Sequence, residues 1–385
     1  MPSHTFFFTG DLYGKTAWNP AVTVWSGVGL PVWCSFGGVT CNIVSGSATY
    51  GRVVGIDVSS AWMSGSLPST IGNLKAMQIL KLNDNVLVGS IPSSIGTLTT
   101  LTYLSLAGNM LTGTIPSSIG GLLSLTSLEL YRNALGGSLP SSIGNIESLQ
   151  MLNLYSNFLV GTIPYTIGAL TSLQSLFLSM NLLVGTIPNI IGAMTSLQQL
   201  HLNENSLTGE IPTSIRVMKL LENVNLQSNS LVGTIPSFIG DMTALVVVGF
   251  DSNFLIGTIP TAICSKTELL SLSLASNFLV GTIPNKLHDL NKLFNLRLNS
   301  NYLTMESSAT VPVSTFSRYT LDKGNFNISN NCLAFQYNST SISATHCGPT
   351  SGKENESMGV KYFTFIKIIL IIPYQKKGNK SLLHS

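Results

Sequence analysis

Leu101-Thr-Tyr-Leu104-Ser-Leu106-Ala-Gly-Asn109-Met-Leu-Thr-Gly113-Thr-Ile-Pro116-Ser-Ser-Ile119-Gly120-Gly-Leu122-Leu-Ser124 decides the fold. Leu104 and Leu106 are two apart, the period of a short strand with one buried face. Tyr103 and Ser105 then face outward. So short a strand has to pair with a copy of itself. A parallel copy needs a long crossover, and the rest of the stretch supplies one.

The copies are there. Asn85, Asn109, Asn133, Asn157, Asn181, Asn205, Asn229, Asn253, Asn277 and Asn301 recur every 24 residues, with a Gly four residues after nine of them and a Pro three further on. Three residue types held in phase over so long a stretch mean a repeated structural unit. The expected fold is an α/β solenoid: a right-handed superhelix with a parallel inner sheet. Each recurrent residue has a task. The Asn amide carries donors and an acceptor for buried backbone groups in its own and the adjacent coil, so the ten form a structural ladder. The Gly allows a conformation or approach that a Cβ blocks. The Pro ends a second extended segment. Ser-Ser-Ile-Gly-x-Leu then fits a short helical turn, with Ile119 and Leu122 packing inward.

The unit LxxLxxLxLxxNxLxGxIPxxIGxL resembles the plant-type extracellular leucine-rich repeat. That repeat is found in ectodomains of receptor-like kinases and receptor-like proteins and in polygalacturonase-inhibiting proteins. The likeness covers Val53 to about Thr304, two-thirds of the chain. It divides the sequence into an N-terminal cap region (1–52), a solenoid of one degenerate and about ten regular units (53–304), a C-terminal cap (305–350) and a tail (351–385). In the degenerate unit Ile56 and Val58 keep the strand, Gly65 and Pro68 keep phase, and Ala61 replaces the Asn. All four tryptophans, Trp18, Trp25, Trp33 and Trp62, are expected to cover the first coil.

Composition fits a surface of Ser, Thr, Asn and Gly. Charged residues make up 9% of the 385 residues, against roughly 25% in an average domain. The formal net charge of +3 is too small and dispersed for a nucleic-acid binder. Cys34 with Cys41 and Cys332 with Cys347 form two local pairs flanking a cysteine-poor middle. They read as disulfide-stapled ends in an oxidising compartment; five reduced thiols are the alternative. Cys34-Ser-Phe-Gly-Gly-Val-Thr-Cys41 is similar to the family's CxWxGVxC cap motif, with Phe36 in place of Trp. Cys264 reads as an inert thiol at an inward position of a helical turn. Sequons begin at Asn327, Asn338, Asn355 and Asn379, and permit glycosylation. Met1 to Gly10 holds only Phe6-Phe7-Phe8 as an apolar core, so no secretory leader is legible there. Val360 to Tyr374 is apolar but interrupted by Lys361, Lys367 and Pro373. It reads equally as a degenerate membrane anchor or an interfacial or irregular tail, and membrane association stays open.

No catalytic constellation is legible. His4, His201, His288, His346 and His384 are scattered without metal-ligand spacing, and there is no P-loop, nucleophile elbow or kinase signature. No cofactor is expected and the chain is not expected to be an enzyme. The outward strand positions lie six, four, two and one residues before each Asn. In the middle coils they gather Glu129, Tyr131 and Arg132; Met151, Asn153 and Tyr155; Phe177 and Met180; Gln199, His201, Asn203 and Glu204; and Asn223, Asn225 and Gln227. Aromatics with Arg and amides are typical of a recognition surface. The resemblance implies an extracellular or cell-surface ectodomain binding a peptide, glycan or protein, with a signalling co-receptor as partner. Two other readings stand beside it: a soluble inhibitor of a secreted hydrolase, and a structural wall or matrix protein.

Overall fold

The computed structural model describes residues 37–42 and 52–304, together with the backbone of three strands, Phe7–Gly10, Thr16–Asn19 and Asn325–Asn327. The chain divides into two compact units, Met1–Asn331 and Cys332–Ser385. All described residues belong to the first. Cys332, Cys347, Asn338, Asn355 and the 360–374 segment lie outside them.

Each coil has three sides. The first is a three-residue strand such as Tyr103–Ser105, Ser127–Glu129, Met151–Asn153, Ser175–Phe177 or Gln199–His201. These strands pair in parallel at the repeat spacing, placing Leu104, Leu128, Leu152, Leu176 and Leu200 side by side. The sheet has thirteen strands. The second side is a shorter parallel ladder just after the Asn, as in Leu182–Thr186 and Ser206–Gly209. The third is a five-residue 3-10 turn such as Ser141–Asn145. The turn is entered from a proline, here Pro140 at φ −66°, the angle its ring imposes. Between the sides lies a core of Leu and Ile. Leu101, Leu104, Leu106, Leu111, Ile119 and Leu122 are fully buried in one coil alone. Each contributes about 1.5–3 kcal/mol of burial.

The Asn sits where the first strand turns into the second side. Asn157 Oδ1 accepts from the Leu135 N–H of the preceding coil (3.1 Å). Its Nδ2 donates to Leu130 O in that coil (3.0 Å) and to Leu154 O in its own (3.1 Å). Asn181 repeats the pattern on Leu159 N–H and on the same Leu154 O. Each carbonyl at this corner thus serves two amides, and the bonds run from coil to coil.

Four expectations change. The residue before each Asn is not an outward strand position. Arg132, Ser156, Met180 and Glu204 have φ of 52–56°, so the strand has already ended in a left-handed turn that a side chain ordinarily disfavours. Ser105 does not face solvent but is 1% exposed, because Glu129 on the next strand reaches back over it. Trp62 does not cover the first coil. It is 70% exposed, its own φ of 57° turning the side chain outward. The edge of the first coil is instead held by Val39–Cys41, paired antiparallel with Val53–Asp57. Cys41 is disulfide-bonded. Cys264 occupies the turn's glycine position, not the inward isoleucine position, which is Ile263. It is a free, partly buried thiol whose pKa burial pushes up.

That glycine is where neighbouring coils touch. A Cβ on Gly120 would lie 2.4 Å from Ser142 O, and one on Gly144 2.3 Å from Thr166 O. Arg216 stands at the same position, so its coil and the next must part. An apolar cavity of about 20 Å³ opens beside Ile215, Phe238, Ile239 and Met242, and Arg216 reaches across to Asp241 (3.5 Å). Gly144→Ala is therefore expected to cost about 1–3 kcal/mol through overpacking. Arg216→Ala should cost no more than a surface ion pair, about 0–1 kcal/mol. Urea unfolding of the two variants measures the difference.

Candidate ligand-binding surface

The outer face of the long sheet is a grid. Neighbouring strands are ~4.8 Å apart, and alternate residues of each strand point away from the core. The column four residues before each Asn runs Lys81, Ser105, Glu129, Asn153, Phe177, His201, Asn225, Gly249, Ser273 and Arg297, joined by strand register. Its charges lie towards the two ends, and its aromatic rings lie in the middle.

Towards the N-terminal end the polar groups satisfy one another. Tyr103 donates its hydroxyl to Glu129 Oε1 (2.7 Å), and the Ser105 and Ser127 hydroxyls donate to the same carboxylate. Lys81 lies over the Tyr103 ring (5.3 Å) and pairs with Asp57 (3.3 Å). Burial, then the hydrogen bond to Glu129, raises the Tyr103 pKa. Burial, then the Glu129 charge, raises that of Tyr131. Both phenols stay neutral donors. Glu129, read from sequence as a ligand contact, is therefore already engaged within the protein. Lys81 and Tyr103 were missed, although they occupy the same columns and were legible by the same count.

In the middle coils the face is less charged. Tyr131, Met151, Tyr155, Phe177, Gln199, His201 and Asn225 are all partly buried on it. The His201 ring meets Phe177 edge-on, with centroids 4.8 Å apart. Its Nε2 is buried without a partner. Burial lowers its pKa, with the Asn223 amide pulling the other way. Asn225 Oδ1 accepts from the Gln227 N–H (3.2 Å), closing the strand end, and Asn153 does the same for Tyr155. These two amides thus have local structural work. Arg132, Met180 and Glu204 are exposed, but on the left-handed turns at the rim of the grid.

Towards the other end Asp251 is 6% exposed. It accepts from the Ser273 hydroxyl (2.6 Å) and the Ala275 N–H (2.8 Å), and Arg297 lies 3.5 Å away. Burial, opposed by those bonds, raises its pKa. Sequence reasoning passed over this carboxylate because it gathered the outward positions of the middle coils only, and Asp251 lies beyond them.

The model of the leucine-rich repeat matches six stretches, 100–122, 124–146, 148–170, 172–194, 196–218 and 220–242. No curated protein matches the sequence. Among solved structures, PEPR1–AtPEP1 is 31% identical over 78% of this chain and 44% of its own, with a TM-score of 0.67. The Arabidopsis receptor kinase HAESA, in complex with the peptide hormone IDA and the co-receptor SERK1, is 27% identical over 78% and 57%, with a TM-score of 0.65. The ectodomain of the Arabidopsis thaliana receptor kinase GASSHO1/SCHENGEN3, in complex with CASPARIAN STRIP INTEGRITY FACTOR 2, is 33% identical over 70% and 35%, with a TM-score of 0.59. The chain spans between about a third and somewhat over half of the length of these structures. With its 24-residue register, its matched repeats and these neighbours, the chain is a leucine-rich-repeat protein of the plant type.

Proposed function

We propose that this chain is a non-enzymatic, receptor-like ectodomain that binds an extended peptide or protein segment along the long sheet. It would work outside the cell or at its surface, with a co-receptor as signalling partner. The observation that carries this reading is the continuous middle of the grid, where Phe177 and His201 stand side by side on paired strands and Tyr131 and Tyr155 follow just after the ends of the two strands before them. Rings presented at ~4.8 Å intervals on a rigid sheet suit a ligand lying across the strands. The receptor kinase HAESA, solved with a peptide hormone and a co-receptor, is similar to this chain in fold, which supports a ligand of that class. The polar groups around Glu129 and Asp251 are bonded internally, so they shape the surface more than they offer free charge.

The joint variant Tyr131→Ala, Arg132→Ala, Tyr155→Ala, Phe177→Ala tests this. Calorimetric titration with candidate secreted peptides should show binding to the wild type and its loss in the folded variant. Unchanged binding would remove the middle grid from the account. A second expectation concerns pH. The neutral form of His201 is favoured by burial, so its contribution to stability is full above the unfolded pKa of about 6.5. That contribution is lost as pH falls through the lower folded value. The melting temperature of the wild type should therefore drop more than that of His201→Gln between pH 7.5 and pH 5.

A further inference from the structure

The second side of the coils carries side chains that ligand binding on the long sheet leaves unused. In each coil the residues three and five after the Asn point the same way, being two apart on a strand. Between them sits the glycine with positive φ, such as Gly161 and Gly185 at 77°. The sequence here is Val-Gly-Thr at 160–162, 184–186, 232–234 and 280–282, and Ile-Gly-Thr at 256–258. Thr-Gly-Thr stands at 112–114 and Val-Gly-Ser at 88–90. Both outward positions of these triplets are solvent-exposed; the valines and Ile256 are 42–53% exposed.

These side chains are held in place. A Cβ on Gly185 would lie 2.8 Å from Thr162 Cγ2, and one on Gly209 2.8 Å from Thr186 Cγ2. Each threonine methyl thus rests on the glycine of the next coil. The Thr162, Thr186, Thr234 and Thr258 hydroxyls bond to no other described residue. β-Branched residues are stiff at χ1, and the ladder is continuous. Strand pairs are joined by bridges at Thr114–Gly136, Ser138–Val160 and Thr234–Ile256. The result is a fixed two-dimensional array, ~4.8 Å along the sheet and ~6.7 Å along each strand. Among the two outward positions from 88 to 282, Glu210 carries the one charge.

The series is broken at Gly136 and Glu210 and is regular at 160–186 and again at 232–282; stretches this regular do not fit an irregular peptide. It fits a partner with a lattice of its own. The near absence of charge calls for a neutral partner, and the alternation of hydroxyl and methyl calls for one rich in hydrogen bonds. We propose that this flank binds the surface of ice. Methyl groups at fixed spacing order the water over them. The threonine hydroxyls between them take the place of lattice water and bridge to it. A crystalline polysaccharide fits less well, because sugar rings stack on outward ring faces. The aromatic stack in the same strands, Phe254–Phe278–Tyr302, turns its faces on one another, at 6.0 and 6.3 Å with interplanar angles of 14° and 17°.

The test uses the full chain, fluorescently labelled, in a slowly growing ice hemisphere, with thermal hysteresis measured alongside. The wild type should enrich in the ice over a labelled globular control and show a hysteresis gap. Thr186→Lys with Thr234→Lys should lose both while keeping the wild-type circular dichroism. Glu210→Thr should raise both, and Phe177→Ala with Tyr155→Ala should leave them unchanged, which separates this face from the peptide-binding grid. No enrichment and no gap in the folded wild type would overturn the proposal. So would lysine variants that behave like the wild type, or retention on microcrystalline cellulose without capture by ice.

Discussion

The asparagine amide at the corner of each coil is the contact on which the remaining structure depends. Strands of three residues cannot hold themselves together, and the turn that follows them leaves buried backbone groups without strand partners. One side chain answers this from both sides. It accepts from an N–H of the coil before and donates to carbonyls of that coil and its own. An unpaired buried backbone group costs about 1–3 kcal/mol, so the pattern cannot lapse within the array. Where it does lapse, at Ala61, the site is the edge coil. There Asn85 accepts from the backbone of residues 61 and 63.

The corner also sets the constraints around it. The chain must enter it in a left-handed conformation, which Met180, Arg132 and Glu204 adopt despite their side chains. It leaves along the second ladder, where glycine lets the preceding coil's threonine methyl lie close. On the far side the coils meet through the glycines of the 3-10 turns. Arg216 interrupts that contact, and an apolar cavity lies beside its neighbour Ile215. Both faces of functional interest inherit their geometry from this frame. The grid and the flank each repeat at the strand spacing because the corners hold the coils in register.

Much of this was legible in the sequence. Leu104, Asn109, Gly113, Pro116 and Ile119 announce strand, corner, second ladder and turn through spacing alone. The departures have local causes. Counting by twos carried the strand through Arg132 and Met180, because positive φ in a bulky residue leaves no signal in a period. Ser105 was read as exposed because the reach of Glu129 belongs to another coil. Trp62 was read as a cover because tryptophan is usually buried, whereas its backbone turns it out. On the outer face of the long sheet the count located the columns and their rings. It did not show that Glu129 and Asp251 are already bonded, since those partners lie 22 to 26 residues away. The Val-Gly-Thr flank was read only as a segment that proline ends.

Native-state hydrogen exchange on the full chain tests the central claim most directly, comparing the wild type with Asn157→Leu. If the amide couples neighbouring coils, protection at the Leu135 N–H, one coil earlier, should fall far more than at the Leu231 or Leu255 N–H. One orphaned bond of about 1–3 kcal/mol corresponds to roughly a five- to hundredfold faster exchange. Undiminished protection at Leu135, with changes confined to the coil of residue 157, would contradict the account.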